Sequence, residues 1–212
     1  MNHSSQTRIV VLISGSGTNL QAIIDAAELK QFDAKIVGVI SNKANAYGLT
    51  RAEHASIPSQ VVEHTTFNHR DKFEQALSIA IDSYHPDLVV LAGFMRILGS
   101  GFVQLYSGRM LNVHPSLLPK HQGLHTHQRA LEAGDKEHGI SIHFVTEELD
   151  GGPLVAQAKI DVLDSDDEKS LAHRAQQLEY QLYPKVIGWF CEKRLKLSKA
   201  GAELDGQLIN LD

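Results

Sequence analysis

The chain has 212 residues, with 20 Lys and Arg against 25 Asp and Glu and 12 histidines, for a formal net charge of −5. That balance excludes a basic nucleic-acid binder. A hydrophobic fraction of 42% with 21% charged residues excludes a disordered chain. One cysteine, Cys191, cannot close an internal disulfide, which points to a reducing, cytoplasmic setting. No apolar run approaches the roughly 18–20 residues of a membrane span. Residues 1–7 are polar, lack the pattern of a signal peptide, and read as a short disordered extension. Residues 8–212 then form a single domain, long enough to bury roughly 70% of its unfolded surface.

In chain order, Ile9-Val10-Val11-Leu12-Ile13 is a continuous β-branched run, the pattern of a strand buried on both faces of a parallel sheet. Helical spacing follows over Leu20 to Ala27. A strand is predicted at Ile36 to Ile40, a helix around Tyr47 to Ala55, and a short strand at Gln60 to Val62. Phe67 to Tyr84 reads as a helix with Phe73, Leu77 and Ile81 on one face, stopped by His85-Pro86-Asp87. Leu88 to Ala92 is the next buried strand, and Met110 to His114 another, ended by Pro115. Ile140 to Val145 alternates as a strand, with Leu154 to Val162 beside it. Asp166 to Lys193 is a long helical pattern with Leu171, Ala175, Leu178, Leu182 and Val186 as its apolar stripe. Pro184 inside it predicts a kink or break. The tail, with Gly201 and Asp205-Gly206, is expected to form a small hairpin. The whole reads as α/β, a mostly parallel twisted sheet with helices on both faces and a Rossmann-like amino-terminal half.

The first strand runs through Ser14-Gly15-Ser16-Gly17-Thr18-Asn19 into a helix, an arrangement that offers free N–H groups to an anion. Leu20 replaces the third glycine of a dinucleotide fingerprint, no acidic residue follows the second strand, and no P-loop lysine is present. The loop therefore suits a single phosphate, and equally an ordinary capped βα turn. Asn112 and His114 project from one strand face, where two polar side chains need partners. An amide donor beside an imidazole can hold a carbonyl oxygen while the ring handles a proton. The alternative is a structural histidine. Asp150, in Glu147-Glu148-Leu149-Asp150-Gly151-Gly152, could orient such a histidine or sit in a solvated acidic turn. Phe94 to Leu98, after the fourth strand, could form a slot for a flat heterocycle or pack as core.

Six histidines fall between positions 114 and 143, and His125-Thr126-His127 could offer two metal ligands. No His-Glu-x-x-His accompanies them, so no metal site is assigned. The histidines that follow His114 are read as supporting structure and surface. Cys191 beside Phe190 reads as core.

Four segments in this order resemble the phosphoribosylglycinamide formyltransferases, the folate-dependent glycinamide ribonucleotide transformylases of purine biosynthesis. They are Ile13 to Ala22, Leu91 to Leu98, Leu111 to Pro119, and Glu148 to Pro153. The resemblance runs from Arg8 to about Gln207. It implies a formyltransferase fold and transfer of the formyl group of 10-formyltetrahydrofolate, as co-substrate, to the amino group of glycinamide ribonucleotide, with no metal. By match to the family's motifs, Asn112, His114 and Asp150 are the catalytic set. Gly17, Thr18, Asn19 and Glu179 match glycinamide ribonucleotide positions. Arg70, Met95, Arg96, Ile97, Leu98, Asn112, Thr146, Glu147, Glu148, Leu149 and Asp150 match folate positions. Gln122 stands where the family carries proline, a departure that bears on loop rigidity and leaves the catalytic positions unchanged.

In the implied mechanism the substrate amine attacks the formyl carbon. The Asn112 amide and a charged His114 stabilise the oxyanion, a role worth roughly 2.7–4 kcal/mol per donor in comparable sites. Asp150 holds His114 charged and, with a water, carries the proton onward. Two other readings stand beside it: a 10-formyltetrahydrofolate hydrolase, which carries an additional amino-terminal domain, and a non-catalytic folate or phosphate binding module. Transfer to methionyl-tRNA is expected to need a carboxyl-terminal RNA-binding domain and a basic surface. The expected partners are small-molecule substrates, with neither nucleic acid nor membrane.

Overall fold

Ile9 to Ile13 is apolar at every position because it lies in the middle of a sheet. The structure, a computed structural model, describes residues 6–211. In it β1 (Thr7–Ile13) pairs in parallel with β2 (Ala34–Ser41) on one side and with β4 (Leu88–Leu91) on the other. Ile9, Val11 and Ile13 enter one core, under α1 (Thr18–Glu28), α2 (Gly48–His54) and α6 (Glu168–Cys191). Val10 and Leu12 enter a second core on the opposite face, under α3 (Arg70–Asp82) and α4 (Ser100–Leu105). Burial on both faces is what a continuous apolar strand requires.

The sheet is completed by β3 (Ser59–Val61), β5 (Met110–His114), β6 (Glu137–Phe144) and β7 (Leu154–Asp161), in the order β3-β2-β1-β4-β5-β6-β7. Strands β1 to β5 are mutually parallel; β6 runs antiparallel to β5, and β7 antiparallel to β6. The chain leaves β1 toward β2 on one side and returns through β4 on the other, so the loops after β1 and β4 diverge and open a crevice. A 3₁₀ turn at His64–Thr66 precedes α3, which therefore starts later than the expected Phe67. Both α4 and α5 (Thr126–Glu132) were absent from the sequence reading, being six and seven residues long, too short to show a helical period.

The expected extension over residues 1–7 is shorter at its inner end. Thr7 already belongs to β1, opposite Ala34, and its N–H reaches the Asp33 carbonyl at 3.3 Å. Residues 1–5 lie outside the described residues. The helix around Pro184 does not break: α6 runs through it. A proline inside a helix costs about 3 kcal/mol, and burial of Val186 and Ile187 just beyond it contributes roughly 1.5–3 kcal/mol each. Asp167 and Ser170 start α6 with a capping box, in which Asp167 Oδ1 accepts the Ser170 N–H at 2.8 Å and Ser170 Oγ accepts the Asp167 N–H at 2.9 Å. The tail forms more than a hairpin: β8 (Leu195–Ser198), β9 (Gly201–Leu204) and β10 (Gln207–Leu208) make a separate three-stranded antiparallel sheet. Among the described residues no helix is long and apolar enough to cross a membrane.

Candidate active site

The loop after β1 is held from outside. The Gly48 N–H donates to the Gly15 carbonyl at 3.0 Å, the Arg51 Nε donates to the Ser16 carbonyl at 2.8 Å, and the Met95 N–H from the β4 loop donates to Ser14 Oγ at 2.8 Å. Gly17 caps α1 at φ +68°, and a Cβ there would stand 2.6 Å from the Gly48 Cα, so only glycine fits. No side chain caps α1, which leaves its first N–H groups free of intrahelical partners. They line a cavity of about 680 Å³ whose far wall is the first half of α6. Lys43, Lys169, His127 and His173 also face it, and Glu179 is the one carboxylate among its lining residues. Glu179 is 7% exposed and accepts a bond from the Asn19 amide at 2.7 Å. Burial pushes its carboxyl up to about 7 against the opposing effect of that bond. Asn19 Oδ1, also buried, has no partner among the described residues. One turn later Tyr183 shares its one hydroxyl hydrogen between the Leu91 and Leu111 carbonyls, at 3.0 and 2.9 Å, tying α6 to β4 and β5.

The end of β5 divides this cavity from a second. Val113 lines the first, while Asn112, on the face shared with Met110, lines a pocket of about 90 Å³ with Arg96, Ile97, Leu98 and Thr146 to Asp150. Asn112 is directly opposite His143 of β6 in the ladder, and its Nδ2 lies 3.1 Å from His143 Nε2. The other ring nitrogen, Nδ1, is 2.9 Å from the Phe144 carbonyl. A carbonyl only accepts, so Nδ1 carries the hydrogen and Nε2 accepts from the Asn112 amide. Burial pushes the His143 pKa down, in keeping with a neutral ring. His143 thereby fixes which way the Asn112 amide faces and leaves its second N–H free.

His114, 5% exposed, stands between two acceptors. Its Nε2 is 3.0 Å from the His121 carbonyl and its Nδ1 is 3.4 Å from Asp150 Oδ2. With both acceptors in place, the ring is fully satisfied when both nitrogens carry hydrogen. Asp150 Oδ2 also accepts the Gly123 N–H at 2.9 Å, and Oδ1 lies 3.8 Å from His143 Nε2. Asp150 is held at φ +51°, a left-handed conformation that is uncommon for a non-glycine residue. Gly152 makes the turn possible: a Cβ there would meet the Phe144 carbonyl oxygen at 1.9 Å.

The expected site residues are thus drawn together, with three exceptions in placement. Met95 lines the larger cavity, Arg70 lines neither, and the buried His114 lines neither, standing behind Asp150 of the smaller pocket. The Arg70 guanidinium bonds Glu74 at 2.7 Å, and the same carboxylate oxygen accepts the Gly99 N–H at 2.6 Å, at the far end of the 95–98 loop. Phe94 and Leu98 are buried, whereas Met95 and Ile97 are each 62% exposed. Of the histidines after His114, read as supporting structure and surface, His138 and His143 are buried, and His121 and His143 touch the proposed catalytic groups. His127 and His138 meet edge-on with nitrogens 2.9 Å apart, and burial pushes both down, His138 to about 4. His125 is exposed and His127 is half-buried. Among the described residues no group of three or more His, Cys, Asp or Glu is arranged to hold a metal ion.

Sequence reasoning missed His143, Lys43, Lys169 and His173. The signal for the last two was present: Lys169, His173, Gln176 and Glu179 recur at helical spacing, a polar stripe beside the apolar one.

The chain matches the formyl transferase family over residues 7–187. It is 54% identical over 201 residues to a phosphoribosylglycinamide formyltransferase of Escherichia coli K12, covering 95% of each chain. It is 46% identical over 182 residues to a trifunctional purine biosynthetic protein of Drosophila melanogaster, covering 85% of this chain and 14% of that one. The solved phosphoribosylglycinamide formyltransferase of Coxiella burnetii superposes with a TM-score of 0.93 at 51% identity over 97% of each chain.

Proposed function

Because the chain belongs to the formyl transferase family, we propose that Asn112, His114 and Asp150 carry out its reaction, with the cavity along α6 holding the acceptor and the pocket under Thr146 to Asp150 holding the donor. The reaction moves the formyl group of 10-formyltetrahydrofolate to the amino group of glycinamide ribonucleotide, a step of purine biosynthesis. Both substrates are small molecules. The observation that carries the assignment of roles is the junction at the end of β5, where Asn112, His143 and Asp150 line the smaller pocket and Asp150 stands 3.4 Å from the buried His114.

The free N–H groups of Thr18 and Asn19 receive the substrate phosphate at a helix start, and Lys43, Lys169 and His173 add positive charge around it. Glu179 and the unpartnered Asn19 oxygen accept from donors on the acceptor substrate. As the amine attacks, a new C–N bond forms and the formyl oxygen becomes an oxyanion. The second N–H of Asn112 and a hydrogen on His114 Nδ1 stabilise it. Breakdown cleaves the bond to the folate nitrogen, and the proton lost by the amine reaches that nitrogen by way of Asp150 and His114. Holding both substrates against one strand end supplies proximity.

The donor pocket of about 90 Å³ is smaller than the roughly 300–1,000 Å³ usual for ligand pockets. Arg70, at the end of the 95–98 loop, suits a carboxylate of the folate tail. The lone cysteine supports a cytoplasmic setting.

The test is turnover of His114→Ala and Asp150→Asn. Loss of one such group lowers kcat by about 100- to 1,000-fold; near wild-type turnover in either variant would refute its role. Folate release with and without glycinamide ribonucleotide separates transfer from hydrolysis.

A further inference from the structure

The loop at Lys120 to Gly123 touches both members of the His114–Asp150 pair. Its His121 carbonyl receives His114 Nε2 at 3.0 Å, and its Gly123 N–H reaches Asp150 Oδ2 at 2.9 Å. No proline lies within residues 120–123 to stiffen it. His121 is moreover held at φ +56°, where a non-glycine residue does not rest without support. Ser116 Oγ holds the Lys120 carbonyl and Arg129 holds the Gln122 carbonyl on either side, and at residue 121 itself the support comes from its own side chain. His121 Nε2 lies 2.7 Å from Asp135 Oδ2, and the other Asp135 oxygen takes Lys120 Nζ at 2.9 Å. His121 and Asp135 are both largely buried, and the His121 and Lys120 contacts hold the Asp135 carboxyl below its ordinary range. Asp135 follows α5 and has no contact with either cavity.

We propose that His121 and Asp135 form a clamp that positions His114, by aiming the His121 carbonyl at Nε2 and so fixing which ring nitrogen exchanges the proton. A carbonyl has no hydrogen to give, so Nε2 carries one in both the charged and the neutral ring. The only nitrogen left to gain and lose a proton is Nδ1, which faces Asp150. Without the clamp the left-handed turn at residue 121 relaxes, its carbonyl swings away, and the neutral ring becomes free to place its hydrogen on either nitrogen. The ring would then present a hydrogen to the Asp150 carboxylate in one tautomer and a lone pair in the other. His121 and Asp135 are positioning residues, and the inference rests on the role of His114 proposed above.

Two variants and a control test it in the full chain. His121→Phe keeps a flat side chain but removes the donor, while His121→Gln places an amide N–H near the former Nε2. For His121→Phe we expect kcat to fall by up to about 100-fold, as for a displaced catalytic group, with both KM values unchanged. Nitrogen-15 spectra of the neutral His114 ring should change from the pure Nε2–H form to a mixture. His121→Gln should restore both kcat and the single tautomer. Equal impairment in the two variants, or an unchanged tautomer in His121→Phe, would overturn the clamp. His114→Ala is the control: if it loses turnover while His121→Phe keeps it, the clamp alone is refuted. If His114→Ala itself keeps turnover, the reading beneath the clamp fails.

Discussion

Glu179→Gln should make the folded protein more resistant to unfolding above neutral pH while it weakens substrate binding. Glu179 is buried at 7% exposure, and a single Asn19 amide is the partner of its carboxylate, at 2.7 Å. Burial raises its pKa from 4.5 to about 7. The folded chain thus holds a proton that the unfolded chain releases, so this group's contribution is fully present below about 4.5 and is lost as pH rises to about 7. At 1.36 kcal/mol per pKa unit, the loss amounts to about 3 kcal/mol. Glutamine preserves the shape and removes the charge. The stability difference between variant and wild type should therefore climb by about 3 kcal/mol between pH 4.5 and pH 7 and then level. Taking the difference cancels other titrating groups, among them His138, which acts in the opposite sense because burial lowers it. Urea unfolding of both proteins across pH 4.5 to 8.5 measures it. A difference that stays flat with pH would refute the claim that Glu179 sits as a desolvated carboxyl. In the same variant the KM for glycinamide ribonucleotide should rise and that for the folate should stay unchanged.

His143→Phe should lower kcat by about 10- to 100-fold at unchanged KM values, since the Asn112 amide loses the acceptor that orients it; steady-state kinetics would show otherwise if the orientation came from elsewhere. Gly17→Ala forces a Cβ to 2.6 Å from the Gly48 Cα at φ +68°, a backbone that alone costs an alanine roughly 1–2 kcal/mol. Its melting temperature should fall and its KM for glycinamide ribonucleotide should rise, and an unchanged KM would show that the phosphate does not depend on this turn. Tyr183→Phe removes the hydroxyl that bridges β4 and β5 and should cost about 1–2 kcal/mol in urea unfolding, with no loss expected if the hydroxyl were merely tolerated.

Much of the sheet was readable because β1, β2 and β4 are buried on both faces and carry uninterrupted apolar runs. Asn112 and His114 were readable from their spacing of two on a strand, which is a local property. His143 stood in plain view in an alternating strand, but its role depends on being opposite Asn112, and register between strands 31 positions apart is not a local property. The same holds for the His121 carbonyl, a main-chain atom with no signature in residue type. At Pro184 local preference predicted a kink or a break, and of the two the break does not occur, because packing of the residues around it keeps the helix continuous. The short α4 and α5 span too few residues for any period to show.

The antiparallel pairing of β5 with β6 has a consequence for how the protein can fail. Asn112 opposes His143 and His114 opposes Ser141, while Leu111 and Val113 oppose Phe144 and Ile142 on the other face. A slip of one residue would exchange the two faces, turning leucine and valine toward the proposed folate pocket and the amide and the imidazole into the apolar core. Such a molecule could keep much of its backbone hydrogen bonding and its circular dichroism, yet it would be inert. Activity per folded molecule after refolding is therefore a gauge of pairing fidelity at this one ladder, a quality that bulk measures of secondary structure would overlook.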